Sequence, residues 1–130
     1  MLKIAYHPIY KHPLPEGHRF PMIKYELLPQ QLLYEGTCTE DNFFEPSLPE
    51  DRHVLAAHDE EYYRNLVGLQ LSKREARKIG FPLSEALVKR ERIIADGTIK
   101  GCRTGNRKSA CYIHRCELGR LRLEEVTGYW

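Results

Sequence analysis

A proline-rich segment near the N-terminus holds most of the residues whose types could carry chemistry. Residues 12–20 read His-Pro-Leu-Pro-Glu-Gly-His-Arg-Phe, which places His12, His18 and Arg19 in one short stretch. Proline fixes its own φ and pushes the preceding residue out of the helical region. The segment therefore predicts a stiffened loop that presents these three side chains in a defined direction. The alternative is a turn with solvated basic residues, a common use of Pro, Gly and charge.

The two histidines have several possible roles. Imidazole changes its charge near neutral pH, so His12 and His18 are candidates for a base or a metal ligand. Two His six residues apart do not make a zinc site, which needs four ligands of defined geometry. We therefore favour packing or hydrogen bonding within the loop. For Arg19, the alternatives are a binding role, a solvated surface position, or an ion pair with Glu16.

A second candidate cluster lies near the C-terminus, where Cys111, His114 and Cys116 follow Cys102. Three thiolates and one imidazole are a donor set that suits tetrahedral zinc. Only Arg115 separates His114 from Cys116, however, and this tight spacing strains simultaneous ligation. A disulfide is the second alternative, although disulfides are rare in the cytoplasm. We favour incidental thiols.

Composition indicates one globular domain without a membrane anchor. The chain has 130 residues, of which 42% are apolar and 29% charged. It contains no apolar run long enough for a transmembrane helix and no secretory signal, so we expect a cytoplasmic protein. The net charge of +2 is too small to argue for nucleic acid binding. Residues 98–130 hold seven Lys and Arg against three acidic residues, which is more typical of a solvated tail than of a nucleic-acid contact.

The first half of the chain predicts short elements around this loop. Residues 2–6 are typical of a strand that ends at His7. Residues 22–34 have helical spacing, but Pro29 lies inside them, so we expect two short helices or a kink. Gly36 is placed to cap the C-terminus.

The next segments predict a sheet with helices beside it. Residues 41–46 indicate a turn and a short extended piece, and residues 52–57 indicate a second strand. The acidic residues 59–61 favour the start of a helix that reaches about Leu69. A capping box that begins at Ser72 predicts another short helix, closed by Gly80.

The last predicted helix begins at Ser84, and Gly97 falls near its end or interrupts it. Its expected apolar face is formed by Ala86, Leu87, Ile93 and Ile94. The order of strands and helices points to an α/β fold with a parallel sheet. Such a sheet normally has both faces covered. Two predicted strands are few, which indicates that this piece lacks neighbours.

Four stretches, in order, resemble the zinc-dependent histone deacetylase superfamily, especially its small bacterial, class IV-like and acetoin-utilization-type members. Residues 12–25 resemble the N-terminal loop of that family, and residues 26–36 its first helical region. His58-Asp-Glu-Glu-Tyr62 resembles its His-x-x-Glu-Tyr element, and residues 80–88 with 95–99 resemble the segment leading into its next long helix. The likeness covers residues 1–99. Residues 100–130 form a basic, Cys-containing tail of no recognised family.

The resemblance implies a partial arginase/deacetylase-type three-layer fold with short parallel strands and several helices. Full-length relatives use zinc to hydrolyse acetyl-lysine or an acetylated polyamine. Their His-His pair, zinc ligands and catalytic Tyr have no counterpart after Ile99. The resemblance therefore implies a truncated, inactive chain with no catalytic residue, no metal ligand and no cofactor of its own. By the same likeness, Arg19 would hold acetate in a channel shaped by His12 and His18.

Two alternatives remain open at the sequence level. One is a non-enzymatic interaction module that covers its exposed sheet by self-association, which would make it a homo-oligomer. The other is a small zinc-binding protein associated with nucleic acid, an idea that rests on the tail alone. We also hypothesise that the tail arises from a changed reading frame. Translation of the encoding DNA in its other frames should then yield a glycine-rich, His-His-containing continuation.

Overall fold

The short parallel sheet brings the N-terminus against the middle of the chain. A computed structural model describes residues 2–104. Strand β1 (Ile4–Ala5) pairs in parallel with strand β2 (Phe43–Phe44), and Ile4 lies opposite Phe43. One 3-10 turn, Pro8–Tyr10, follows β1, and its Ile9 amide donates to His7 Nδ1 at 3.0 Å. The expected short strand and the extended piece at residues 41–46 are both confirmed.

The rest of the described chain is mainly helical, so the architecture is mixed α/β with a two-stranded parallel sheet. Within residues 2–104, no helix is both long and apolar enough to cross a membrane. The five α-helices are α1 (Lys24–Tyr34), α2 (Asp51–Leu55), α3 (Glu60–Val67), α4 (Lys73–Ile79) and α5 (Glu85–Thr104).

Local capping signals set several of these helix ends. The side chain of Asp59 accepts from the amides of Glu61 and Tyr62, and thereby satisfies the free N–H groups that begin α3. Ser72 and Glu75 form the expected capping box of α4. Gly80, directly after α4, has a φ of 83°, and Gly36, two residues after the end of α1, has a φ of 70°. Glycine adopts this positive-φ conformation without strain.

The prediction of a strand at residues 52–57 is wrong, because residues 52–55 lie in helix α2, which begins at Asp51. Residues 52–57 carry no apolar alternation that would favour a strand over a helix. Asp51 instead ties the helix start to its neighbours: it accepts from Tyr63 Oη at 2.8 Å and from Arg92 at 3.0 Å. Burial and this hydrogen bond raise the pKa of Tyr63 to about 12.

Two alternatives were predicted for residues 22–34, two short helices or a kink at Pro29. The division into two helices is wrong, and the kink stays a prediction. Helix α1 runs through Pro29 without a break in its assignment. Proline removes only the one backbone bond to the preceding turn. Tyr25, one turn earlier, is buried and packs against Tyr10 and Phe20. This tertiary packing outweighs the local penalty.

Helix α5 is the central element of the core. It continues through Gly97 to Thr104 without interruption. Its residues Leu87, Ile93 and Ile94 are buried as expected, whereas Ala86 is exposed, contrary to the prediction. The core cluster that surrounds them contains Tyr10, Met22, Tyr25, Tyr63, Leu66, Ile79, Phe81 and Val88.

Candidate functional site

The loop of residues 12–20 is fastened to the end of α4 by His18. The Phe20 amide donates to His18 Nδ1 at 3.1 Å, so Nδ1 is an acceptor. The other nitrogen, Nε2, then carries the proton and donates to the Gly80 carbonyl at 3.2 Å. The ring also lies 5.4 Å from that of Phe81. His18 therefore has a structural role, since its ring bonds the loop to the turn after α4. Hydrogen bonding is the role favoured from the sequence.

Aromatic side chains pack around the end of the loop, next to His18. Phe20 makes an edge contact with Phe81 at 5.2 Å between ring centroids and stacks on Tyr25 at 6.2 Å. The Lys24 ammonium lies 4.5 Å from the Phe20 ring, within the range of a cation–π contact. The end of the loop is thus held by packing as well as by hydrogen bonds.

Arg19 directly follows His18 in the sequence, and its side chain is exposed. It lines a shallow depression of about 340 Å³, formed by the end of the loop and the turn after α4. The predicted alternative, an ion pair with Glu16, is not present among the ion pairs of the described residues. A guanidinium in this position is able to offer paired N–H donors to a carboxylate.

His12 lies on the other side of the same loop. It is buried and lines a second depression of about 390 Å³ together with His18, Phe20 and Met22. Burial, and secondarily the positive charge of Arg90, lower the pKa of His12 below its ordinary value of 6.5. The structure thus brings His12, His18 and Arg19 onto one loop, but with His12 turned to the interior and Arg19 to the outside.

A buried ion pair beneath the loop was missed at the sequence level. Arg90 and Glu91 are adjacent on α5, and both are almost completely enclosed. Arg90 Nε donates to the Tyr10 carbonyl at 2.8 Å, and its guanidinium lies 5.0 Å from the Tyr25 ring. A signal was available, since Arg90 and Glu91 occupy the helical positions between the buried Leu87 and Ile94.

A second acidic anchor, Asp96, was also missed. Its carboxylate is buried, accepts from the Ser47 amide at 2.7 Å, and pairs with Lys100 at 2.6 Å. Asp96 therefore fixes the segment after β2 onto α5. Helix α5 thus holds the segments that follow both strands. Arg90 binds the Tyr10 carbonyl after β1, and Asp96 binds the Ser47 amide after β2.

The residues of the described chain do not form a metal centre. Within residues 2–104, no group of three His, Cys, Asp or Glu side chains is placed to hold a metal ion. Cys38 is a buried free thiol and Cys102 an exposed one. Cys111, His114 and Cys116 lie outside the described residues, so the proposed Cys/His cluster stays a prediction.

Comparison with known proteins finds a longer protein whose sequence is similar to most of this chain. No protein-family model matches it. Over 96 residues, or 74% of this chain, it is 35% identical to an uncharacterized protein of Picosynechococcus sp. (strain PCC 7002). The matched residues make up 32% of that protein. The chain therefore spans about a third of the length of the curated relative it matches.

Proposed function

We propose that residues 1–99 are the N-terminal portion of a zinc-dependent, deacetylase-like amidohydrolase with an arginase/deacetylase-type three-layer fold. In such an enzyme the substrate is an acetylated amide, as in acetyl-lysine or an acetylated polyamine. The 130-residue chain does not carry out this reaction alone. The metal and the groups that handle protons belong to the part of the enzyme that lies beyond this portion.

The observation that carries the proposal is the anchored loop of residues 12–20. Two independent contacts hold it: His18 to the Gly80 carbonyl, and Arg90 to the Tyr10 carbonyl just before it. A site needs a loop fixed in this way, because binding groups must keep their geometry when the ligand arrives. Arg19 is the cation that this loop presents beside a depression.

The parallel pairing of β1 with β2 and the packing of α5 on β1 also support this assignment. A parallel pair with helical crossovers is the repeating unit of three-layer α/β folds. The greater length of the Picosynechococcus protein supports the view that the unit is continued elsewhere.

The described residues alone do not fit a zinc ion, because they offer no suitable donor group. We therefore derive no metal-dependent step for this chain. Its own contribution is recognition: Arg19 would bind the acetate product through two parallel hydrogen bonds, and His18 would shape the wall of the same depression. His12 would shape the second depression, on the other side of the loop.

A chimera tests the proposal. Residues 1–99 would replace the 96 matched residues of the Picosynechococcus protein, and the product would be assayed with zinc on acetyl-lysine peptides and an acetylated polyamine. We expect zinc-dependent release of acetate. Arg19→Ala should lower kcat about tenfold, which corresponds to about 1.4 kcal/mol.

Arg74→Ala is the matched control, because Arg74 is an exposed arginine near the start of α4 and lines neither depression. It should leave kcat unchanged. A folded, zinc-loaded chimera that releases no acetate from either substrate would contradict the proposal. Equal effects of the two substitutions would contradict the role of Arg19.

A second candidate function, a non-enzymatic interaction module, is favoured by the incomplete sheet. Strand β1 has one neighbour among the described residues, β2. An unpaired strand edge offers N–H and C=O groups to another chain. A role associated with nucleic acid rests on residues outside the described part, and stays a prediction.

A further inference from the structure

Helix α1 carries a mostly apolar stripe on its outer side. This outer stripe consists of Ile23, directly before the helix, and of Leu27, Gln30 and Tyr34 within it. Ile23 and Leu27 are half exposed, and Tyr34 is almost fully exposed. Tyr25 lies on the opposite side of the helix and is buried in the core. One side of α1 thus holds the helix on the domain, and the other side presents apolar side chains to solvent.

The spacing of the outer stripe is typical of a helix that packs against another helix. Its four residues follow one another at intervals of four, three and four positions, which is the a/d spacing of a helix–helix seam. Gln30 is the polar member of the stripe and is exposed. A single polar side chain in an apolar seam favours one register of the two helices. The outer stripe therefore predicts a second helix as its occupant.

The charges beside the outer stripe have opposite signs at its two ends. Lys24 begins α1, and Glu35 directly follows its last residue. Because eleven positions make about three turns of helix, both lie on the same side of the stripe. Neither belongs to an ion pair of the described residues. Lys24 contacts the Phe20 ring, and Glu35 Oε1 accepts from Gln31 Nε2 at 2.5 Å, so both side chains have a defined position.

A second copy of the chain matches this arrangement when the two α1 helices pack antiparallel. A two-fold axis places the start of one helix beside the end of the other, so that every contact occurs twice. Lys24 of each copy then faces Glu35 of the other, and Ile23 packs against Tyr34. The opposed helix dipoles add to this attraction. Parallel packing would instead place Lys24 beside Lys24 and Glu35 beside Glu35, which is repulsive.

We infer that the outer stripe is the interface of a homodimer, in which α1 packs antiparallel on α1 of a second copy. The occupant is a second copy because the stripe and its two flanking charges are complementary to themselves. Each copy contributes one helix of 11 residues, so the interface is small and the dimer should be weak. The inference does not rest on the proposed function, because no residue of the outer stripe lies in the loop of residues 12–20.

Sedimentation equilibrium of the 130-residue chain tests the inference. We expect the average mass to rise from monomer to dimer with concentration, with a Kd on the order of 10 µM for so small an interface. Leu27→Asp places a charge in the middle of the outer stripe and should raise this Kd at least about tenfold. Leu48→Asp is the matched control, because Leu48 is about as exposed as Leu27 but lies between β2 and α2. It should leave the Kd unchanged.

Charge reversal tests the antiparallel arrangement. Lys24→Glu and Glu35→Lys should each raise the Kd about fivefold, because each places like charges together at both ends of the interface. The double variant exchanges the two charges and should return to the Kd of the unmodified chain. A mixture of the two single variants should form a heterodimer, since each then supplies the charge that the other lacks.

Two controls accompany the charge reversals. Lys73→Glu makes the same change at an exposed lysine of α4 and should have no effect on the Kd. Lys24→Glu also removes the contact with Phe20, so circular dichroism must show that this variant folds. Glu35 is exposed, and Glu35→Lys carries the test if Lys24→Glu does not fold.

Three outcomes would overturn the inference. The first is a chain that stays monomeric at every concentration, which would mean that another part of the chain or a different protein covers the outer stripe. The second is a dimer that Leu27→Asp leaves intact. The third is a dimer whose Kd does not change with either charge reversal, because the two helices would then not lie antiparallel.

Discussion

Arg90 is an example of a charge that the fold encloses almost completely. Removing a guanidinium from water is costly unless its donors find partners. Here Nε reaches the Tyr10 carbonyl, a second nitrogen pairs with Glu91, and the plane lies against the Tyr25 ring. Because Tyr10 directly precedes the loop, these contacts also position His12. The buried pair therefore fixes the position of the N-terminal segment relative to α5.

Arg90→Met should destabilise the protein by about 3–5 kcal/mol, because it leaves the carboxylate of Glu91 buried without its guanidinium partner. Urea unfolding followed by circular dichroism measures the loss. The double variant Arg90→Met with Glu91→Leu should cost less than the two single changes summed. Strict additivity in this cycle would show that the two charges do not act as a pair.

His12 gives the protein a sensitivity to acid. Since its pKa is lowered in the folded state, the unfolded chain binds the proton more readily. Stability should be unaffected above the ordinary pKa of 6.5 and should fall as the pH drops from there through the lowered value. His12→Gln should flatten this part of the profile of unfolding free energy against pH. An unchanged acid slope in the variant would contradict this account.

At the scale of elements, the contact between α5 and β1 depends on a glycine. A Cβ built on Gly97 would lie 2.8 Å from Tyr10 Oη and 3.0 Å from Ala5 Cβ. Real side chains do not approach so closely, so any larger residue would push the helix from the strand. Gly97 is costly in a helix interior, but its position permits the close packing that holds β1.

Gly97→Ala should therefore destabilise the protein by about 1–3 kcal/mol, the usual cost of overpacking, although alanine favours the helix itself. Combining it with Tyr10→Phe removes the nearest atom and should restore part of the loss. Thermal unfolding of the single and double variants measures both effects. A stabilised Gly97→Ala protein would show that the helix does not approach the strand so closely.

Elements with local signals were predictable from the sequence, and those set by distant contacts were not. The start of α3 follows from Asp59, and both ends of α4 follow from the Ser72 capping box and Gly80, all of them local signals. The error at α2 arose because its Asp51 is fixed by Tyr63 and Arg92, far away in sequence.

The candidate site, too, was predictable where its signals are local and not where they depend on distant contacts. Proline and glycine in residues 12–20 predicted a rigid loop with His12, His18 and Arg19, and the structure places all three on it. The direction of each side chain was not predictable, because it depends on the Gly80 carbonyl and on Arg90. The burial of Glu91 was overlooked because only apolar residues were counted, although its helical position between Leu87 and Ile94 could be read from the spacing.

At the scale of the whole molecule, apolar surface remains uncovered on α1 as well as at the sheet. Ile23, Leu27 and Leu28 are each about half exposed, and Tyr34 is 88% exposed. Scattered apolar residues are normal on a protein surface, but several on one helix favour contact with another chain or domain. Among the described residues, α1 is therefore the helix with the most exposed large apolar side chains.

The isolated 130-residue chain, supplied with zinc, should therefore release no acetate from acetyl-lysine peptides or acetylated polyamines. The reason is the resemblance on which the proposed function rests: the His-His pair, the zinc ligands and the catalytic Tyr of that family have no counterpart after Ile99. A sensitive acetate assay on the purified chain checks this. Zinc-dependent turnover above that of a no-protein control would contradict it.

The hydrogen bond from Arg90 to the Tyr10 carbonyl joins residues that are 80 positions apart. Closing so long a loop costs entropy that is regained only when both ends are present. During synthesis, the N-terminal strand must therefore wait until nearly one hundred residues have left the ribosome before it finds its place. Until then the segment that carries β1 lacks helix α5, which packs on this strand.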